Sequence, residues 1–296
     1  MFSKAAIQHL RLRFSLLLLP VFLLSVYGVV SFSDNSSTLV LDGLFYAFFI
    51  WHLCIYPASN AFNSYQDQDA ASIGDLKNPL IADRSVLYIS IILNAIGLIA
   101  AYLINPFFMA FILVYIISSQ VYSWRKIRLK RFPIVGFLVI FAFQGFWVLV
   151  ANRFACNISS IDMKSYCLLG LAASFMFGGG YPITQIYQHT QDKEDGVKTI
   201  SMLLGIRGTL IFSVIMNVIG LAILGFVVIQ NQGWLYMALY LLILAPSLYY
   251  FSKWAAQVFK VESKANFENV MRMTWISAIC NNIAILVLLL KPLISF

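Results

Sequence analysis

The sequence predicts an all-α membrane protein, with nine transmembrane helices around a central cavity and a weak internal repeat. Three observations lead there. Of 296 residues, 61% are hydrophobic and only 11% charged, whereas a soluble domain carries roughly 25% charged residues. The apolar residues gather into nine runs of about the length that crosses a bilayer. Lys and Arg are shared very unequally between alternate connecting segments. Residues 1–296 therefore read as a single polytopic domain.

The first run, 14–33, follows Arg11 and Arg13, as the apolar part of a signal peptide would. It carries no A-x-A-like cleavage site and more spans follow, so it reads as the first transmembrane helix. The second run covers 39–62. Runs 85–104 and 106–123 form a tight hairpin turning at Asn105-Pro106. The remaining runs are 133–151, 166–187, 208–230, 233–252 and 273–291. Pro57, Pro182 and Gly178-Gly179-Gly180 lie inside spans. Proline removes a backbone hydrogen bond and bends a helix, which lipid tolerates only where neighbours or a cavity satisfy the freed carbonyl. Bends at matched places point to helices bowed around a cavity; irregular helix packing is the plainer alternative.

With the N-terminus inside, 17 of the 20 Lys and Arg fall in inner segments, and Arg153, Lys164 and Lys291 fall outside. The positive-inside rule then places the N-terminus in the cytoplasm and the C-terminus on the opposite side. This asymmetry accounts for the net charge of +8, and no nucleic-acid partner is implied. Cys54, Cys156, Cys167 and Cys280 form no C-x-x-C pair, which argues against zinc and a disulfide framework.

The repeat carries the polar chemistry. Tyr56–Asp69 returns 125 positions later as Tyr181–Glu194, with Tyr56/Tyr181, Pro57/Pro182, Gln66/Gln191 and Asp67/Asp192 identical. On a helix Asn60, Asn63 and Asp67 share one face, as do Gln185, Gln188 and Asp192. Seven of the twelve acids lie in segments 63–84 and 188–199, directly after the two copies and on the same predicted side. Two carboxylates about 6 Å apart repel by roughly 3 kcal/mol at an effective dielectric near 20, so a cation must sit between them if they meet. Oxygen ligands without His or Cys suit Mg²⁺ better than zinc. Segment 122–131 holds five cations in seven residues, Arg125 to Arg131, the charge that a diphosphate beside a metal needs. Ordinary anchoring beside anionic headgroups is the alternative for that segment.

These residues resemble the UbiA-type intramembrane prenyltransferase superfamily. Asn63-x-x-x-Asp67 with Asp69, followed by Lys77-Asn78-Pro79-Leu80, is similar to its first aspartate-rich motif. Asp192-x-x-x-Gly196-x-x-Thr199, running into Leu203-Leu204-Gly205, is similar to its second, and Tyr122 through Pro133 to its basic element. The resemblance covers nearly the whole chain. Ala71 and Gln188 stand where the family pattern usually has carboxylates, and Asn78 where it usually has Arg.

The resemblance implies a Mg²⁺-dependent transfer of a prenyl group from an allylic prenyl diphosphate, through a carbocation, to an aromatic or other lipid-soluble acceptor, commonly a quinone precursor, within the lipid bilayer. It assigns Asn63, Asp67, Asp69, Gln188, Asp192 and Asp195 to the metal, with Asn63, Asp67, Asp69 and Asp192 catalytic. Tyr122, Lys126, Lys130, Arg131 and Lys198 are its diphosphate-binding candidates. His189 is expected to face away from the motif. Two other readings stay open: a non-catalytic member that binds isoprenoid diphosphate, and a polytopic transporter, which repeats often accompany.

Overall fold

The computed structural model describes residues 2–33, 38–68, 71–156, 158 and 160–294. The elements, in order, are α1 (Lys4–His9), α2 (Leu19–Phe32), α3 (Thr38–Phe49), α4 (Tyr56–Asp67), α5 (Arg84–Ile104), α6 (Pro106–Ser123), α7 (Pro133–Phe141), α8 (Trp147–Ala155), α9 (Met163–Gln185), α10 (His189–Glu194), α11 (Ile200–Gln232), α12 (Trp234–Lys260) and α13 (Phe267–Ile294). A π turn, Ile50–Ile55, joins α3 to α4, and a second, Ala142–Phe146, joins α7 to α8. Among the described residues, eight continuous helical stretches are long and apolar enough to cross a membrane. There are nine if Lys4–Leu17 and Leu19–Phe32, bent by 49°, count as one.

That bend corrects the expected first span, 14–33. Residues Leu12–Leu17 form a 3₁₀ turn, and α2 restarts at Leu19 with Pro20 in its first turn. Proline has no N–H to give and its ring collides with the carbonyl four residues back, so it fits a helix start without loss, whereas Pro182 within α9 and Pro246 within α12 each remove a backbone bond. The later helices overrun their apolar runs, α12 reaching Lys260, because polar residues continue a helix beyond the apolar layer at no cost in water. At Asn105-Pro106 the hairpin forms as predicted: the Asn105 side chain accepts from Phe107 N at 2.7 Å, and Pro106 opens α6. Asp83, Asp162 and Thr199 cap α5, α9 and α11 in the same way.

Pro57 follows the first π turn, whose wider ring removes the conflict between the proline and the preceding carbonyls. The second π turn sits where α9 approaches most closely. A Cβ on Gly145 would overlap the Ser174 backbone, while the Ser174 hydroxyl accepts the Phe146 N–H at 2.8 Å. Gly205, at φ 70°, breaks the run of α11 in a conformation that L residues rarely adopt.

Trp51, Tyr27, Tyr115, Tyr166 and Tyr240 fill the main core between α2, α4, α6, α9 and α13. At one end of the bundle the connecting segments are tied to each other. Lys77 meets Glu268 at 2.5 Å, Tyr187 Oη donates to Gly74 O at 3.1 Å, and Leu80 N donates to Gln8 Oε1 at 2.8 Å. Three connections and the N-terminal segment therefore share one face. All four cysteines are free.

Candidate active site

A cavity of about 440 Å³ opens among these tied segments and runs between the spans. The face of α4 expected to be functional lies on its wall: Asn60, Asn63 and Asp67 all line it. Asn63 Oδ1 accepts from Ser123 Oγ at 2.7 Å, which fixes the side chain against α6. Asp67 ends α4, and Gln68, in the left-handed region at φ 56°, turns the chain away.

The second copy differs in backbone. Its helix stops at Gln185, a 3₁₀ turn covers Ile186–Gln188, and α10 carries Asp192. Gln185, Gln188 and Asp192 nevertheless all line the same cavity. Gln188 Nε2 donates to Ser72 O at 3.3 Å. The Asp192 carboxylate makes no hydrogen bond or ion pair among the described residues, although Lys130, Asp67, Arg128 and Asp195 lie within electrostatic reach.

Segment 124–132 supplies the cations. Asp67, only 7% exposed, pairs through Oδ1 with Arg128 Nη2 at 3.1 Å and through Oδ2 with Lys130 Nζ. The same Arg128 nitrogen pairs with Asp195 Oδ2, and Arg128 Nη1 donates to Asp195 O at 3.2 Å. Arg125 Nη2 reaches the Asp67 carbonyl at 3.0 Å and Asp195 Oδ1 at 3.5 Å. One guanidinium thus joins the ends of both copies. Burial works against the Arg128 charge, but Asp195 and Asp67 outweigh it and raise its pKa. Partial burial alone would raise the Asp195 carboxyl, yet the Arg128 hydrogen bond and the Arg128, Arg125 and Lys130 charges bring it below its ordinary value.

Of the residues singled out from sequence, Asn63, Asp67, Tyr122, Lys130, Gln188 and Asp192 line one cavity. Asp195 joins the cluster through Arg128 without lining it. Lys126 and Arg131 lie outside the lining: Lys126 Nζ stands 5.6 Å over the Trp124 ring and the Arg131 guanidinium 4.8 Å over Phe132. Lys198 is exposed and also outside it. Asp69 falls outside the described residues. His189 bonds Ser201 Oγ at 2.8 Å and does not line the cavity. Sequence reasoning missed Arg128, whose left-handed backbone (φ 53°) no spacing rule anticipates. It also missed Tyr181, which had a signal: it pairs with Tyr56 in the repeat. The hydroxyls of Tyr122 and Tyr181 meet on the cavity wall, 59 positions apart in sequence.

The donors around the opening are carboxylate and amide oxygens. Among the described residues no group of three or more His, Cys, Asp or Glu is placed to hold a metal ion by itself. Gln185, 6% exposed, lines the cavity, and its buried Oε1 has no hydrogen-bond partner among the described residues. This set fits a hard divalent ion that completes its shell with water and substrate oxygens.

A family model described as the UbiA prenyltransferase family matches residues 12–277. No curated protein matches the sequence. Among solved structures, a UbiA homolog from Archaeoglobus fulgidus bound to DMAPP and Mg²⁺ is 19% identical, with TM-score 0.64 over 97% of this chain and 100% of that one. The apo structure of a UbiA homolog from Aeropyrum pernix K1 is 17% identical, with TM-score 0.63 over 93% and 98%. A structure concerned with digeranylgeranylglyceryl phosphate synthase in membranes is 17% identical, with TM-score 0.59 over 98% of both chains. At these identities the likeness is one of fold.

Proposed function

From the premise that this chain belongs to the UbiA prenyltransferase family, we propose that it moves a prenyl group from an allylic prenyl diphosphate to an aromatic or other lipid-soluble acceptor within the membrane, in a Mg²⁺-dependent reaction through a carbocation. The observation that carries this reading is the meeting of Asp67 and Asp192, the matched acids of the two copies, with Lys130 and Tyr122 on one cavity. Asn63, Asp67, Gln188 and Asp192 would hold Mg²⁺, which when bound supplies positive charge against the diphosphate oxygens. The A. fulgidus homolog was solved with DMAPP and Mg²⁺, a donor and an ion of these classes.

The chain's own groups account for the rest. Lys130 is placed to pair with diphosphate oxygens and to stabilise them as they depart. The Tyr122–Tyr181 hydroxyl pair lies beside the two acids and offers a hydrogen bond at the same place. Deeper, Val139, Ile140, Phe143, Val214 and Leu221 give an apolar wall that accepts a hydrocarbon tail and keeps water from the cation. The Lys and Arg asymmetry supports an opening on the cytoplasmic side, with the C-terminus opposite.

A second reading, binding without turnover, is favoured by one observation: both Asp67 oxygens are engaged by Arg128 and Lys130. One experiment separates the two. Purified protein is incubated with labelled prenyl diphosphates and Mg²⁺, with and without acceptors. Metal-dependent diphosphate release that Asp192→Asn abolishes supports the transferase. Saturable binding with no release at any donor length supports the second reading.

A further inference from the structure

Segment 124–132 has a side that the cavity does not use. It joins two stretches long and apolar enough to cross a membrane, Pro106–Ser123 and Pro133–Ala155, so it lies where hydrocarbon gives way to headgroups and water. Its cations divide into two sets. Arg125, Arg128 and Lys130 reach Asp67 or Asp195. Lys126 and Arg131 are exposed, stand outside the cavity and pair with no acid among the described residues.

Their surroundings are apolar. Lys126 Nζ lies over the Trp124 ring and the Arg131 guanidinium over the Phe132 ring. Both rings are themselves exposed, as are Ile127 and, in the first turn of α7, Ile134. Water gives such a surface nothing to bury. At a bilayer edge it has a partner throughout: rings and aliphatic chains enter the acyl boundary, while the cations stay at the depth of the phosphates. The connector is also fixed in depth. A Cβ on Gly136 would stand 3.0 Å from Lys130 Cα, so the first turn of α7 packs straight against it.

We propose that Lys126 and Arg131, with the exposed Trp124, Ile127, Phe132 and Ile134 around them, form a binding surface for the headgroup of an anionic membrane lipid. Two cations with no carboxylate partner call for an anion, and the flanking spans put phospholipid beside them. A zwitterionic headgroup carries its own ammonium beside the phosphate and is attracted less. The surface goes beyond the transferase reading and does not depend on it. It does bear on the site: the headgroup holds the connector from outside while Asp67 and Asp195 hold it from within. Anionic lipid thereby steadies the segment that carries Arg128 and Lys130.

The test melts the full chain in neutral detergent micelles doped with phosphatidylcholine or with phosphatidylglycerol. Each protein is its own reference, so a change in baseline stability cancels. For wild type, phosphatidylglycerol is expected to raise Tm by roughly 4–8 °C over phosphatidylcholine. Lys126→Gln combined with Arg131→Gln should lose most of that rise. Lys260→Gln combined with Lys264→Gln, which removes the same charge from another exposed part of the chain, should keep it. Equal rises in wild type and the Lys126/Arg131 variant overturn the surface, as does no rise in wild type. Equal loss in both double variants overturns it too, since the attraction would then belong to net charge and not to this patch. A matching rise from inorganic phosphate in phosphatidylcholine micelles overturns the lipid as occupant.

Discussion

Asp67 and Asp192 face one cavity, and their substitution by Asn should affect stability in opposite directions. Asp67 is 7% exposed and is the shared counter-charge of Arg128 and Lys130, whose side chains are 9% and 11% exposed. Removing one member of a buried ion pair leaves the other charged and dry, at about 3–5 kcal/mol. Arg128 keeps Asp195, and Asn retains some hydrogen bonding, which brings Asp67→Asn to the foot of that range or just under it, about 2–3 kcal/mol. At about 2–4 °C per kcal/mol that is a fall in Tm of roughly 5–10 °C. Asp192 has no hydrogen bond or ion pair to lose among the described residues, and its burial together with Asp67 and Asp195 outweighs the pull of Lys130 and Arg128 on its charge. Asp192→Asn relieves repulsion and desolvation and should leave Tm level or raise it by about 1–3 °C. Both variants should lose metal-dependent diphosphate release. Tryptophan fluorescence melts of the three proteins in one detergent decide the matter. A Tm for Asp67→Asn within about 1 °C of wild type, or equal falls for both variants, would show that the ion pairs around Asp67 are screened and the reasoning wrong.

Three further outcomes are expected. Gly145→Ala should cost about 1–3 kcal/mol, because its Cβ meets Ser174 backbone that cannot rotate aside, whereas Gly180→Ala meets nothing within 4 Å and should melt like wild type. The Asp195 carboxyl is held below its ordinary value of 3.8 by Arg128 against the effect of partial burial. A depressed folded pKa gives stability that is present above the unfolded value and lost as pH falls through the folded one. The Tm gap between wild type and Asp195→Asn should hold steady at higher pH and close below 3.8, as melts across an acid series would show. Chelation of Mg²⁺ should stop prenyl transfer and restore it on re-addition, with little change in the Tm of the substrate-free protein, since Arg128 and Lys130 already neutralise Asp67; a large chelator-induced fall in Tm would contradict this.

Sequence carried most of the bundle and half of the site, for identifiable reasons. A span is marked by the absence of charge over about 20 residues, and helix-end acids are marked by the return of charge. Asn63, Asp67, Gln188 and Asp192 could therefore be found from the repeat alone. What escaped was set by backbone departures. The bend before Leu19 follows from Pro20, yet the apolar run continues through it. The π turns leave no mark on composition. In segment 124–132, helical spacing fails because the backbone passes through the left-handed region at Arg128. That turn sends Arg128 and Lys130 inward and leaves Lys126 and Arg131 lying on the neighbouring rings of Trp124 and Phe132. Five cations were visible; which of them reach the acids, Arg125, Arg128 and Lys130, was a question of main-chain torsion.

Arg128 belongs to neither copy of the repeat, yet it grips Asp67 of the first and Asp195, just past the second. The gap between the two halves is accordingly measured by a peptide stretch that descends from neither. Lengthening that stretch by one residue would leave every span intact and still spoil the spacing of the acids. A short connector thereby serves as the gauge for the whole assembly.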